Sequence, residues 1–104
     1  MEACLFCKII AGEIPSKREY EDEQCVAFHD IHPKERVHLL VVPRKHIPTI
    51  ADITDTDSPL IGHLTYVAKE LAAKLNSPGY KLQWNVGKEG GQEVFHIHLH
   101  LMGK

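Results

Sequence analysis

The chain has 104 residues, 43% hydrophobic and 25% charged, with 12 basic against 14 acidic side chains and a formal charge of −2. That length fits a single domain, residues 1–104, and the balanced charge gives none of the basic field expected of a nucleic-acid binder. Three cysteines are too few for a disulfide framework, no apolar run approaches the ~20 residues of a membrane span, and Met1-Glu-Ala-Cys has no signal-peptide character, so a cytoplasmic protein is expected.

Residues 5–10, Leu-Phe-Cys-Lys-Ile-Ile, carry apolar side chains at helical spacing and stop at Gly12, which predicts a short helix. Segments 17–21 and 25–30 flank the polar Asp22-Glu23-Gln24 and read as a hairpin. Segment 37–42 is β-branched and apolar, and Pro43 closes it as a strand. Ser58 and Pro59 supply an N-cap and an N1 proline. Leu60, Leu64, Val67, Ala68, Leu71 and Leu75 then recur at three- and four-residue steps up to Asn76-Ser77-Pro78-Gly79, the pattern of a long amphipathic helix. Segment 81–86 alternates as a strand, 87–91 is a loop with three glycines, and 94–102 is the last strand. The order α-β-β-β-α-β-β points to an α+β class with a mainly antiparallel sheet.

Chemistry concentrates in the last strand. His96, His98 and His100 stand at i, i+2, i+4 and would share one face, with Phe95, Ile97, Leu99 and Leu101 turned to a core. Imidazole is the side chain best suited to act near neutral pH as nucleophile, acid, base or metal ligand, and a row of three is costly to assemble for packing alone. Gly87, Gly90 and Gly91 precede the row. Such a loop can turn backbone N–H groups toward an anion, with Lys88 adding charge, although it lacks the Gly-Lys-Ser/Thr of a P-loop. Cys4 and Cys7 form a C-x-x-C without the βαβ context of a redox motif. They read equally as two small buried helix residues or as half of a tetrahedral zinc site completed by His46 and His96.

Asn85, Gly91-Gln92-Glu93-Val94 and His96-Ile97-His98-Leu99-His100-Leu101-Met102 resemble the signature of the histidine-triad (HIT) family. Upstream, Leu5-Phe6-Cys7-Lys8-Ile9-Ile10, Glu13-Ile14-Pro15, Ala27-Phe28-His29-Asp30-Ile31 and Val42-Pro43-Arg44-Lys45-His46-Ile47 are similar to other landmarks of its nucleotide-binding, Hint-like branch. The resemblance implies an about five-stranded sheet with one short N-terminal and one long helix, in homodimers whose sheets join. It also implies a purine mononucleotide of the AMP type as ligand, neither nucleic acid nor membrane as partner, and hydrolysis of nucleoside phosphoramidates.

Carried over by position, His98 is the nucleophile, and His100 and His38 orient it and stabilise the phosphate. Asn85, Gly91, Gln92 and Glu93 hold phosphate oxygens, Asp30 takes the ribose, and Phe6, Ile9, Ile14 and Ile31 line the base pocket. A second histidine or Glu93 would move the protons. No cofactor is implied for the chemistry, and Cys4, Cys7, His46 and His96 resemble a structural zinc site of some members. Glu93 stands where many eukaryotic relatives have serine. The sequence given stops at Met102-Gly103-Lys104, short of an extension that shapes the partner's pocket in longer relatives. Hydrolysis of dinucleoside polyphosphates and a non-catalytic nucleotide-binding or scaffold role are the alternatives. A nucleotidyltransferase ranks last, since such relatives usually carry glutamine where His100 stands.

Overall fold

The computed structural model describes residues 4–104. In chain order these form α1 (Leu5–Ile10), β1 (Arg18–Glu21), β2 (Cys25–His29), β3 (Val37–Pro43), α2 (Ser58–Lys74), β4 (Tyr80–Gln83) and β5 (Leu99–Gly103). Short 3₁₀ turns lie at Ile50–Asp52, Asp55–Asp57 and Lys88–Gly90. The strands form one antiparallel sheet in the order β1-β2-β3-β5-β4. This is the expected α+β architecture of five strands with one short and one long helix. Among the described residues, no helix is long and apolar enough to cross a membrane.

Local chemistry sets the connections. Asp22 closes the β1–β2 turn, its Oδ1 accepting from the backbone N–H groups of Gln24 (2.7 Å) and Cys25 (2.8 Å). The long helix starts with Ser58 as its first residue, Asp57 before it and Pro59 in the first turn. That is one residue from the expected cap, within the usual ambiguity of helix ends. The guanidinium of Arg18 holds the end of α1, Nη2 donating to the carbonyls of Ile9 (2.6 Å) and Ile10 (3.1 Å).

Alternation along the strands sorts the side chains onto two faces. Ala27, Leu39, Val41, Leu99 and Leu101 turn to α2 and pack with Leu64, Val67, Ala68 and Leu71 in a dry core. Val26, Phe28, Leu40 and Val42 turn the other way, where α1 contributes Phe6 and Ile9.

The last strand is shorter than its sequence suggests. Its pairing with β3 runs from Val41 opposite Leu99 to Val37 opposite Gly103, so His96 and His98 precede the ladder. Pro43 explains the stop. It has no N–H to offer, and its carbonyl accepts from His96 Nε2 (2.7 Å) instead of from a strand. Phe95, expected in the core, precedes the strand by four residues and is 44% exposed; Ile97, also ahead of the strand but tied by its N–H to the Ile47 carbonyl, is buried, as are Leu99 and Leu101. The fourth strand also ends early, at Gln83, and occupies a sheet edge with all four residues exposed.

Candidate active site

Beside the short helix, the sheet is left open under a cleft of about 700 Å³. His100 of β5 sits between Leu40 of β3 and Gln83 of β4, and His38 of β3 lies opposite Met102. His38, His98 and His100 all line the cleft. The rings of His98 and His100 are 5.0 Å apart, those of His38 and His100 are 5.3 Å apart, and Phe6 stands edge-on to His98 at 4.9 Å.

Hydrogen bonds fix which nitrogen of each ring carries a proton. A carbonyl can only accept, so His98 Nδ1 donates to the backbone oxygen of His96 (2.8 Å) and its Nε2 keeps a lone pair. The backbone N–H of Lys34 can only donate, so His38 Nδ1 accepts it (3.1 Å) and the His38 proton sits on Nε2. That Nε2 faces His100 Nδ1 at 3.1 Å and Asp30 Oδ2 at 3.4 Å. His100 must then accept at Nδ1 and carry its own proton on Nε2. The result is a relay from backbone through two imidazoles to one N–H donor, beside a ring with a bare nitrogen.

Burial keeps these rings neutral. Loss of solvent, then the neighbouring His98 and His38, push His100 down to about 4. Burial lowers His38 despite the nearby Asp30 carboxylate, and lowers His98 despite the bond to the His96 carbonyl. A neutral His98 is a nucleophile at pH 7 because its Nε2 need not first lose a proton, and a neutral His100 still donates through its Nε2–H.

Phe6, Ile9 and Ile14 form an apolar end of the cleft, with Ile31, 86% exposed, on the rim. Asp30, Asn85, Gly91 and Glu93 line it as well. Gln92 does not. It is buried, and its amide nitrogen donates to the carbonyls of Pro48 (2.7 Å) and Val94 (3.0 Å) while its oxygen accepts from the N–H of Gly87 (2.8 Å). Gln92 therefore braces the glycine loop and does not reach the cleft.

The loop closes on itself too. The N–H groups of Gly90 and Gln92 both bond the Gly87 carbonyl, and that of Gly91 bonds Lys88, so these three are not free to cradle an anion. The Asn85 amide donates to the Gly90 carbonyl (2.9 Å), which leaves its second N–H for another acceptor. Gly91 has φ +88°, and a Cβ there would come within 3.4 Å of the Asn85 amide nitrogen. Lys88 lies away from the cleft, while Lys17 and Lys34 line it. Lys34 was not a sequence candidate: its contribution to His38 is a backbone N–H, which no side-chain pattern reveals.

The first histidine of the row does something else. His96 is fully buried and its Nε2 donates to Pro43, so its Nδ1 presents a lone pair. That atom lies 3.4 Å from Cys4 Sγ, 3.6 Å from Cys7 Sγ and 3.2 Å from His46 Nδ1, and Cys7 Sγ is 3.4 Å from His46 Nδ1. Two thiols and two imidazole nitrogens thus converge from the start of α1, the segment after β3 and the segment before β5. A tetrahedral ion with bonds of about 2.3 Å to sulfur and about 2.05 Å to nitrogen would have N–N edges near 3.3 Å and N–S edges of roughly 3.5 Å. The donors fit that shape. A carbonyl behind the ligating ring is the support such a histidine needs.

Comparison with known proteins places the chain in a family. Residues 3–104 match the family model described as "Scavenger mRNA decapping enzyme C-term binding". The chain is 44% identical to Protein HitA of Neisseria gonorrhoeae over 104 residues, covering 99% of this chain and 97% of that one. Among solved structures, a HIT family hydrolase from Legionella pneumophila is 52% identical, covering 96% of this chain and 91% of that one, with a TM-score of 0.93. A Zn-bound histidine triad family protein from Mycobacterium smegmatis is 33% identical, covering 99% and 76%, with a TM-score of 0.87. With the histidines on one cleft and these relatives matched over nearly its whole length, the chain belongs to the histidine-triad family.

Proposed function

We propose that this protein hydrolyses purine nucleoside phosphoramidates, cleaving the P–N bond through a nucleotidyl intermediate on His98. The observation that carries the reading is the bond from His98 Nδ1 to the His96 carbonyl, which leaves a neutral, unprotonated Nε2 in a cleft with one apolar and one polar end. The Legionella relative, described as a hydrolase, supports the reaction class.

The nucleotide base would lie between Phe6, Ile9, Ile14 and Ile31, and the ribose hydroxyls would meet Asp30. His98 Nε2 attacks the α-phosphorus, the P–N bond breaks, and the amine leaves with a proton supplied from the cleft. Water then attacks phosphorus, the N–P bond to His98 breaks, and the mononucleotide departs as the ring regains its lone pair. The Nε2–H of His100 and the free amide N–H of Asn85 would stabilise charge on the non-bridging oxygens. Glu93, exposed at the rim, would exchange the proton that the amine gains and water loses.

Cys4, Cys7, His46 and His96 would hold a structural zinc ion, tying α1 to the sheet; when bound, the metal supplies cross-linking and no chemistry at phosphorus. We read the protein as a homodimer joined through the exposed β4 edge, where Tyr80 and Leu82 are each 39% exposed.

The test is hydrolysis of adenosine 5′-phosphoramidate by the wild type and by His98→Ala, with a diadenosine polyphosphate run in parallel. Turnover of the phosphoramidate that disappears in the variant supports the mechanism. Preference for the polyphosphate would move the protein to that substrate class, and AMP binding without turnover would make it a nucleotide-binding protein.

A further inference from the structure

We infer that the Cys4–Cys7–His46–His96 metal site and the nucleotide cleft are energetically coupled, so that zinc tightens nucleotide binding and nucleotide tightens zinc. The inference rests on the nucleotide and zinc readings above and adds a regulatory link between them.

Two short connections carry it. The first runs through the backbone. His96 offers its ring to the metal cluster and its carbonyl to His98 Nδ1 at 2.8 Å, so the residue that would bind zinc also orients the nucleophile. The Ile97 N–H bonds the Ile47 carbonyl at 2.8 Å, joining the two segments that supply His46 and His96. The second runs through α1. Phe6 lies between the two cysteines, packs edge-on to His98 at 4.9 Å and to His96 at 6.1 Å, and lines the cleft with Ile9.

The anchoring of α1 says which way the effect goes. Six residues are too few to hold a helix in water, so its position depends on the packing of Phe6 and Ile9 and on tethers at its two ends. Arg18 ties its last turn through the carbonyls of Ile9 and Ile10. At its start, the donors that meet the sheet side are the Cys4 and Cys7 sulfurs. Without an ion, they face imidazole nitrogens with weak sulfur contacts only. With an ion they are bonded, and Phe6 is fixed against His98. Nucleotide seated on Phe6 and Ile9 presses the same helix into the same position. Each ligand therefore favours the arrangement the other needs, and linkage makes the two effects equal. In this scheme His96 and Phe6 are positioning residues.

The experiment measures both affinities. AMP binding is titrated calorimetrically on zinc-loaded and chelator-stripped protein, and zinc affinity is measured against a chromophoric chelator with and without saturating AMP. The expected result is a matched change on the order of tenfold in each direction. Phe6→Leu keeps all four donors but loses a base contact, so AMP binding weakens in both zinc states; its readout is the ratio of AMP affinities with and without zinc, which should shrink toward one. Stoichiometric zinc and measurable AMP binding with independent affinities would overturn the coupling while leaving both site readings intact. Absence of zinc binding would instead remove the zinc reading, and absence of AMP binding the nucleotide reading, each taking the coupling with it.

Discussion

The two faces of the sheet differ in how far their helix reaches. On one face the 17-residue α2 covers the strands, and Leu39, Leu64 and Leu101 have no exposed surface. On the other, the six-residue α1 covers one end and leaves the rest open as the cleft. Strand alternation supplies both faces with inward side chains, but where the cover stops those side chains are His38 and His100, with His98 just before the ladder. This site is made by an incomplete layer. The sealed face supplies stability, and the open face gives up apolar burial to polar rings, of which the Nε2 atoms of His98 and His100 are left for the cleft.

The comparison predicts a double dissociation. Replacing His98 by alanine on the open face should cost at least about 10³-fold in turnover, equivalent to about 4 kcal/mol of barrier, while leaving the thermal midpoint within a few degrees. Leu64→Ala on the sealed face should do the reverse, destabilising the fold by about 3 kcal/mol through lost burial and a residual cavity, with AMP affinity of the folded fraction unchanged. Paired thermal denaturation and AMP titration check both. A large stability loss in the histidine variant would break the division between the faces.

How much of this was legible beforehand depended on whether the signal was local. The apolar steps of α2, the turn chemistry of Asp22 and the closing Pro43 report their own surroundings, and they placed five strands and two helices in order. The extent of β5 was not legible, because it is set by the missing N–H of Pro43 on a different strand. The row of histidines pointed to the site. That its first ring bonds Pro43 and faces the cysteines, while its second bonds its own backbone, depends on contacts far along the chain. Gln92 shows the limit from the other side: its position in the motif suggested phosphate, and its amide is occupied by Pro48, Val94 and Gly87.

The Cys4–Cys7–His46–His96 cluster sits where the short cover is pinned, so an ion held there should matter for stability as well as for coupling. Chelation should lower the melting midpoint by on the order of 5–10 °C, and Cys4→Ser should lose stoichiometric zinc and start from that lowered midpoint. Metal analysis with differential scanning calorimetry decides this. A midpoint insensitive to chelator in zinc-containing protein would mean that α1 is held by packing and Arg18 alone.

The smallest effect comes from the polar cluster at the edge of the sealed face, where both oxygens of the Asp22 carboxylate are fully engaged. Asp22 Oδ2 accepts from Tyr20 (2.8 Å) and His63 Nε2 (2.7 Å), and Oδ1 from two backbone N–H groups. Burial opposes its ionisation, but the bonds from His63, Tyr20, Gln24 and Cys25 outweigh that and hold the carboxyl well below its ordinary 3.8. A depressed folded value means that the carboxylate contributes stability above pH 3.8 and loses it as pH falls through the folded value. Asp22→Asn should therefore cost about 1–2 kcal/mol at pH 7, and nearly as much at pH 5, with the gap closing only in stronger acid. Thermal melts of both proteins across this range measure the gap. Closure between pH 7 and pH 5 would assign the pH dependence to an imidazole and not to this carboxylate. A gap that persists would show that this carboxylate serves stability alone, each of its oxygens already accepting two hydrogen bonds.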